Sequence, residues 1–149
     1  MTDKHRLTVV DDQGNHIMAS YVTTLGTDYE KADLSGLSFV GQHSLRGKCF
    51  RQAVLYWADL SESDFDSCDF FEADLRSAVL CCTSLRGADL RGADLGTDNL
   101  GCSTDLHGAD LSGALLEGTK FGGAVYDSQT QFPKDFDPNE TGMVFDEDC

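Results

Sequence analysis

The chain has 149 residues and a formal net charge of −15, from 26 Asp and Glu against 11 Lys and Arg. This balance argues against direct binding of nucleic acid, which depends on Lys and Arg to neutralise phosphates, and against binding to an anionic membrane surface. No apolar run approaches the roughly 18 residues of a membrane-spanning helix, and the length suits one domain.

The first 26 residues contain two short apolar segments. RLTVV (6–10) and HIMASYV (16–22) are separated by DDQGN, whose Gly and Asn favour a turn. We therefore predict two strands that form an N-terminal cap over residues 1–26. The N-terminus lacks the apolar core and cleavage site of a signal peptide, and the six cysteines match neither zinc pairs nor a small secreted disulfide scaffold. We expect a cytoplasmic protein with reduced thiols.

A large apolar residue recurs at every fifth position from residue 27 to residue 128. In SLRGADLRGADLG (84–96) the large residues are Leu85, Leu90 and Leu95. Twenty such centres, all Leu, Phe or Tyr, run from Tyr29 to Tyr126, with steps of six residues at 39 to 45 and at 100 to 106. The residue two before a centre is usually small, and the residue just before it is often Asp. Neither a helix nor a strand has a period of five, so each five must combine a short side with a corner.

The fives ADLSG, ADLRG and SDFDS resemble the pentapeptide-repeat family. The resemblance implies an all-β fold: a right-handed quadrilateral β-helix, or solenoid, of five coils over residues 27–128, with four fives in each coil and the large residues along its axis. We therefore predict a structural core that includes Phe50, Leu55, Leu60, Phe65, Phe70, Leu75, Leu80, Leu85, Leu90, Leu95, Leu100, Leu106 and Leu111.

Residues 129–149 are predicted to form a C-terminal cap with a mobile acidic end. Phe132 and Phe136 are expected to cover the last coil, and Asp137 followed by Pro138 has the pattern of a helix start, with Asp as N-cap and Pro at the first helical position. The segment YDSQTQFPKDFDP is also similar to the tail of cyanobacterial members of the family.

Winding the centres four at a time gives four faces and two candidate contact surfaces. Both six-residue steps fall at one corner, where we expect single-residue bulges at 40–43 and 101–104.

Face three (Phe39, Leu60, Leu80, Leu100 and Phe121) has no net outward charge, so its outward Val40, Val79 and Cys81 are candidates for protein contact. Exposed aromatic residues are enriched in binding hot spots, which makes Tyr56, Trp57 and Phe71 a second candidate. Alternatively, Phe71 only covers the rod through cation–π contacts with Arg51 and Arg91.

The sequence offers no constellation for catalysis, and we predict no catalytic residues, no metal site and no cofactor. The histidines are scattered, and there is no phosphate-binding loop, metal-binding helix or nucleophile elbow. Cys82 and Cys102 are expected to stack one coil apart beside Cys81. Reduced thiols are the expectation there, with a disulfide or a metal site as the open alternative.

The function predicted from these features is that of a non-enzymatic scaffold or protein-binding module with an unidentified protein partner. The alternative is a DNA mimic. Some proteins that the sequence resembles imitate the shape and charge of a DNA duplex, bind DNA gyrase or topoisomerase IV, and protect it from quinolone-type inhibitors. The acidic charge favours this alternative, whereas its spread over several faces disfavours it.

Overall fold

The computed structural model describes residues 4–10, 16–23, 29–43 and 45–147. Strand β1 (Lys4–Val10) pairs antiparallel with strand β2 (His16–Thr23), and the register shifts between Val9 and Val10. The turn predicted between these strands lies outside the described residues. The acidic end predicted to be mobile also falls partly outside them.

From Tyr29 onward the chain winds into stacked coils that are joined by parallel bridges. Each bridge forms at the residue just before an inward centre, as between Asp69 and Asp89. The bridged residues are 20 apart from Cys49 to Asp94 and again between Asp105 and Val125, so one regular coil contains four fives. Each side is too short for a regular strand and ends in a corner residue of positive φ, which is +71° at Gly92. Glycine adopts this conformation without steric cost, which explains its recurrence two residues after the centre.

The core is the column of large side chains on the axis. Tyr29, Phe50 and Phe70 stack with ring centroids 4.8 and 4.9 Å apart, close to the spacing between paired strands. All predicted centres except Leu100 are buried or pack against the core. Residues at most 1% exposed include Phe50, Leu55, Leu60, Phe65, Phe70, Leu75, Leu80, Leu85, Leu90, Leu95, Leu106 and Leu111.

The first departure from the repeat is the predicted single residue, but the second is larger. Ser38 pairs with Asp59, 21 residues on, whereas Val79 pairs with Asp105, which is 26 residues on. Six extra residues therefore lie between Leu95 and Leu106, and the bulge predicted at 101–104 is wrong.

The prediction that Leu100 belongs to the core is wrong, because its side chain is 78% exposed. The small residue that normally stands two positions before a centre is replaced here by Asp98. If Leu100 pointed to the axis, Asp98 would place an unpaired carboxylate in the apolar core, which is costly. Instead, one whole five and one further residue are excluded from the coils and form a loop.

This insertion moves every later centre by one face. Face three consists of Phe39, Leu60, Leu80, Leu106 and Tyr126, as the bridges Asp59–Val79, Val79–Asp105 and Asp105–Val125 require. Its outward positions contain three carboxylates, Asp59, Asp105 and Asp127, and no Lys or Arg. The prediction of a neutral face three is therefore wrong. The expected stacking of Cys82 on Cys102 is also wrong, because the Cys82 amide donates to the carbonyl of His107.

The C-terminal segment folds over the last coil. Strand β3 (Val125–Tyr126) pairs parallel with strand β4 (Val144–Phe145). Between them lies a single 3-10 turn, Pro138–Glu140, where the sequence predicts a helix start, with Asp137 as its N-cap. Phe132 and Phe136 pack on the core, with ring centroids 5.1 Å apart. Within the described part of the chain, no helix has the length and apolar character needed to span a bilayer.

Candidate functional site

The inserted loop, defined as residues 96–103, is fixed to the rod by Asp98. Its Oδ2 accepts hydrogen bonds from the Tyr56 hydroxyl and the Trp57 Nε1, each at 2.9 Å. Its Oδ1 accepts from the backbone amides of Leu100 and Cys102, each at 2.8 Å. Burial alone would raise the pKa of Asp98, but these four hydrogen bonds outweigh it and hold the pKa well below its usual range. Asp98 is therefore a charged, fully satisfied anchor.

A second anchor lies where the loop rejoins the β-helix. The fully buried Thr104 hydroxyl accepts from the amide of Ser77 at 3.0 Å and lies 3.0 Å from the carbonyls of Leu75 and Gly96. The Ser77 hydroxyl donates to the carbonyl of Cys102 at 3.0 Å. At this point side-chain hydroxyls make hydrogen bonds in place of the backbone hydrogen bonds that join neighbouring coils elsewhere. Among the described residues, no buried side-chain polar atom lacks a hydrogen-bond partner.

The anchored loop presents apolar surface outward. Leu100 is 78% exposed, and Trp57, on the rod beneath, is 50% exposed although its Nε1 is bonded. A cleft of about 260 Å³ lies beside them, lined in part by Tyr56, Arg76 and Asn99. Loop positions held by a rigid scaffold commonly carry binding residues.

The six predicted contact residues form two surfaces, one on face three and one where two other faces meet, and they have different surroundings. The ring of Phe71 lies between the guanidinium groups of Arg51, at 4.4 Å, and Arg91, at 6.0 Å. This is the covering role that the sequence left open for Phe71. The other predicted contact residues range from exposed to half-buried: Val40 and Trp57 are exposed, whereas Val79, Cys81 and Tyr56 are half-buried.

Face three brings together three side chains that the sequence-based register separated. Cys81, Asp105 and His107 have their sulfur, oxygen and nitrogen atoms within 4.8 Å of one another. Nδ1 of His107 is 2.5 Å from Oδ1 of Asp105, and Nε2 is 3.0 Å from the carbonyl oxygen of Asp146. Burial alone would lower the pKa of His107, but these two partners raise it, and the pKa of Asp105 is lowered. The cluster can be inferred from the sequence only when the size of the insertion is known, because the insertion determines which residues lie beside Cys81.

One further buried charge was missed from the sequence. Asp66 is 2% exposed and accepts hydrogen bonds from the Ser84 hydroxyl and from both the backbone and the side chain of Arg86. Burial alone would raise the pKa of Asp66, but these bonds lower it. Asp66 therefore ties neighbouring coils together and is a structural residue.

Comparison with known proteins agrees with this geometry. A model of pentapeptide repeats matches residues 49–81, 68–96 and 102–125, with eight copies. The matches stop at residue 96 and resume at 102, where the inserted loop lies. No curated protein matches the sequence.

The solved structures similar to this chain are also pentapeptide repeat proteins. One from the Arabidopsis thaliana thylakoid lumen is 29% identical, with a TM-score of 0.53, over 72% of this chain and 70% of its own. HetL of the cyanobacterium Nostoc sp. strain PCC 7120, involved in heterocyst differentiation regulation, is 19% identical, with a TM-score of 0.52, over 78% of this chain and 67% of its own. The protein alr5209 of Nostoc is 28% identical, with a TM-score of 0.41, over 80% of this chain and 84% of its own. With its five-residue period, its coils of four fives and the match to the pentapeptide-repeat model, the chain belongs to the pentapeptide-repeat family, and the Arabidopsis and HetL structures share its β-helix solenoid fold.

Proposed function

We propose that this protein is a non-enzymatic, cytoplasmic scaffold that binds another protein through the inserted loop and Trp57. The observation that carries the proposal is the exposed Leu100 on a loop that Asp98 fixes through four hydrogen bonds. Because the backbone that carries Leu100 is already fixed, the loop loses little backbone entropy on binding and suits a preorganised contact.

The composition of this surface supports a protein partner. Trp is among the residues most enriched in binding hot spots, and Leu100 adds an aliphatic contact beside it. The chain as a whole carries a net charge of −15, so a partner with a basic rim around an apolar pocket would have complementary charge and a faster association rate.

The proposal is tested by affinity purification with tagged protein and quantitative mass spectrometry. The variant Leu100→Ser removes the apolar tip, and Leu115→Ser is its matched control, because Leu115 is also exposed, at 47%, but is bridged to Asp89 on another face of the rod. We expect a partner that co-purifies with the wild type and with Leu115→Ser, and that is lost with Leu100→Ser. Direct binding of that purified partner should weaken at least tenfold in Leu100→Ser. The same proteins recovered with both variants, or none with the wild type, would contradict the proposal.

A DNA mimic that binds a type II topoisomerase is the second candidate. The three carboxylates on face three, Asp59, Asp105 and Asp127, favour it, since the outward positions of that face contain no Lys or Arg. Other acids weigh against it: Asp74 and Asp89 form ion pairs with arginines, at 2.7 and 2.6 Å, which weakens the continuous negative field that a mimic needs.

A gyrase supercoiling assay with and without a quinolone separates the two candidates. The scaffold proposal expects no change in supercoiling or in quinolone inhibition at micromolar protein. Protection of gyrase from the drug would establish the second candidate instead.

We also propose a right-handed winding and an N-terminal cap formed by β1 and β2. Connections between parallel strands are overwhelmingly right-handed, and an uncovered first coil would expose unpaired backbone groups. Deletion of residues 1–26 should then expose the edge of the first coil and cause concentration-dependent association in analytical ultracentrifugation. A deletion variant that stays monomeric would argue against the cap.

A further inference from the structure

The cluster on face three has the composition of a transition-metal site. Cys81 offers a sulfur, His107 a ring nitrogen and Asp105 a carboxylate oxygen, all within 4.8 Å of one another. Zinc binds these three ligand types at about 2.0–2.3 Å, which places neighbouring ligand atoms roughly 3.3–3.8 Å apart. Nδ1 of His107 and Oδ1 of Asp105, 2.5 Å apart, must therefore separate by about 1 Å, and the sulfur of Cys81 must approach by up to about 1 Å, which are movements that side-chain rotations supply.

The β-helix itself places these residues together. The Cys82 amide donates to the carbonyl of His107 at 2.8 Å, so Cys81 and His107 occupy the same repeat position on adjacent coils. Asp105 is two residues before His107 and points to the same face. In the register without the full insertion, Gly101 would lie opposite Cys81, and no ligand set would form. The six extra residues therefore create the cluster.

The orientation of His107 is fixed as in known metal sites. A histidine that ligates a metal usually donates its other ring N–H to a carbonyl or a carboxylate, which fixes the tautomer and the ring orientation. Nε2 of His107 lies 3.0 Å from the carbonyl oxygen of Asp146 and is placed to donate to it. In the metal-free protein Nδ1 shares a proton with Oδ1 of Asp105, 2.5 Å away; once that proton leaves, the lone pair of Nδ1 faces Asp105 and Cys81. His107 is 7% exposed, so the ring has little freedom to turn away.

The cluster opens to solvent on one side. A cleft of about 340 Å³ is lined by Cys81, Cys82 and His107 together with Asp127 and two glutamines. Oδ1 of Asp127 already accepts from the amide of Gly108 at 3.0 Å and from residues of the following turn. A water molecule or an external ligand can therefore reach a fourth coordination position.

We propose that Cys81, Asp105 and His107 bind a divalent metal ion of the zinc type, with the fourth position open to the cleft. The mixture of thiolate, imidazole and carboxylate suits zinc better than the all-oxygen sites preferred by magnesium or calcium. On binding, the thiol proton of Cys81 and the proton between His107 and Asp105 leave to solvent, and the metal takes their place.

The test uses the full-length protein, stripped with a chelator, kept reduced and titrated with Co²⁺ and then with Zn²⁺. Cobalt reports its own coordination, because thiolate ligation gives a charge-transfer band in the near ultraviolet and tetrahedral geometry gives visible absorption. We expect one equivalent to bind with both signals, and Zn²⁺ to displace it.

Four variants assign the ligands. Cys81→Ser should abolish the charge-transfer band and weaken binding at least tenfold, and His107→Gln should weaken it similarly. Cys82→Ser and Cys102→Ser, at two exposed thiols outside the ligand set, should behave as the wild type. Circular dichroism of each variant shows whether the fold is retained. Loss of the band in Cys82→Ser or Cys102→Ser but not in Cys81→Ser, or no saturable binding by the wild type, would overturn the proposal.

Discussion

Replacing Leu106 and Leu100 by alanine, one at a time, separates the observed register from the simple five-residue pattern. Both residues are centres by sequence, and the pattern alone predicts equal effects. In the structure Leu106 is fully buried on the axis, in the column of Leu80 and Tyr126, whereas Leu100 is 78% exposed.

The magnitudes follow from this difference in burial. Leu106→Ala removes buried methyl groups and leaves a cavity that the rigid coils above and below cannot fill, so it should cost about 2–5 kcal/mol in the free energy of unfolding. Leu100→Ala removes contacts only with solvent and should stay within about 0.5 kcal/mol of the wild type.

Urea unfolding followed by circular dichroism measures both variants against the wild type. The midpoint should fall clearly for Leu106→Ala and hardly change for Leu100→Ala, with similar slopes for all three proteins. A loss of about 2 kcal/mol or more in Leu100→Ala, or a negligible loss in Leu106→Ala, would refute the assignment of the inserted loop.

Three other predictions follow from single side chains. The pKa of Asp66 is lowered in the folded protein, so the stability that Asp66 contributes is present above its unfolded pKa, near 3.9, and is lost as the pH falls below it. Asp66→Asn should therefore be less stable than the wild type at pH 7, and its stability should change less between about pH 5 and 3. A pH profile of stability identical to that of the wild type would contradict this. Gly123→Ala would place its Cβ 2.5 Å from Cγ2 of Thr97, whereas the Cβ of Gly36→Ala would meet no atom within 4 Å. Both positions have positive φ, so in thermal unfolding Gly36→Ala should lose about 1 kcal/mol of stability and Gly123→Ala clearly more. Equal losses would show that the Thr97 side chain can move aside. Asp98→Ala should release the loop, which increases both the acrylamide quenching of the single tryptophan and proteolysis within residues 96–103. Unchanged quenching and cleavage would show that other contacts hold the loop.

The fold could be predicted from the sequence because the repeat is read directly from side-chain size. A buried axis accepts only large apolar residues at every fifth position, so the columns of Leu and Phe up to Leu95 follow from the pattern. The C-terminal turn at Pro138 also follows from its own residues, since capping is a local interaction.

The second half of the register could not be predicted by counting fives. Leu100 satisfies the period, and only the misfit of Asp98 at a position reserved for small residues signalled that the pattern breaks there. The hydrogen bonds that decide the outcome join Asp98 to Tyr56 and Trp57, 42 and 41 residues earlier. Such long-range pairing has no local signature in the sequence.

The candidate sites depend on that register. Cys81 was singled out as an outward residue, but its partners Asp105 and His107 were assigned to a different face, and the acids of face three were undercounted for the same reason. Phe71 was better predicted, because its neighbours Arg51 and Arg91 precede the insertion.

The register after the insertion is the claim on which the sites rest, and pairwise crosslinking tests it most directly. Ser84 is bridged to Asp110 in the structure, whereas the register predicted from the sequence, with a single extra residue between Leu100 and Leu106, would place it beside Asp105. Two double variants, Ser84→Cys with Asp110→Cys and Ser84→Cys with Asp105→Cys, are oxidised, and the linked peptides are mapped by mass spectrometry. We expect rapid linkage between positions 84 and 110 and none between 84 and 105. Linkage of 84 to 105 alone would contradict it.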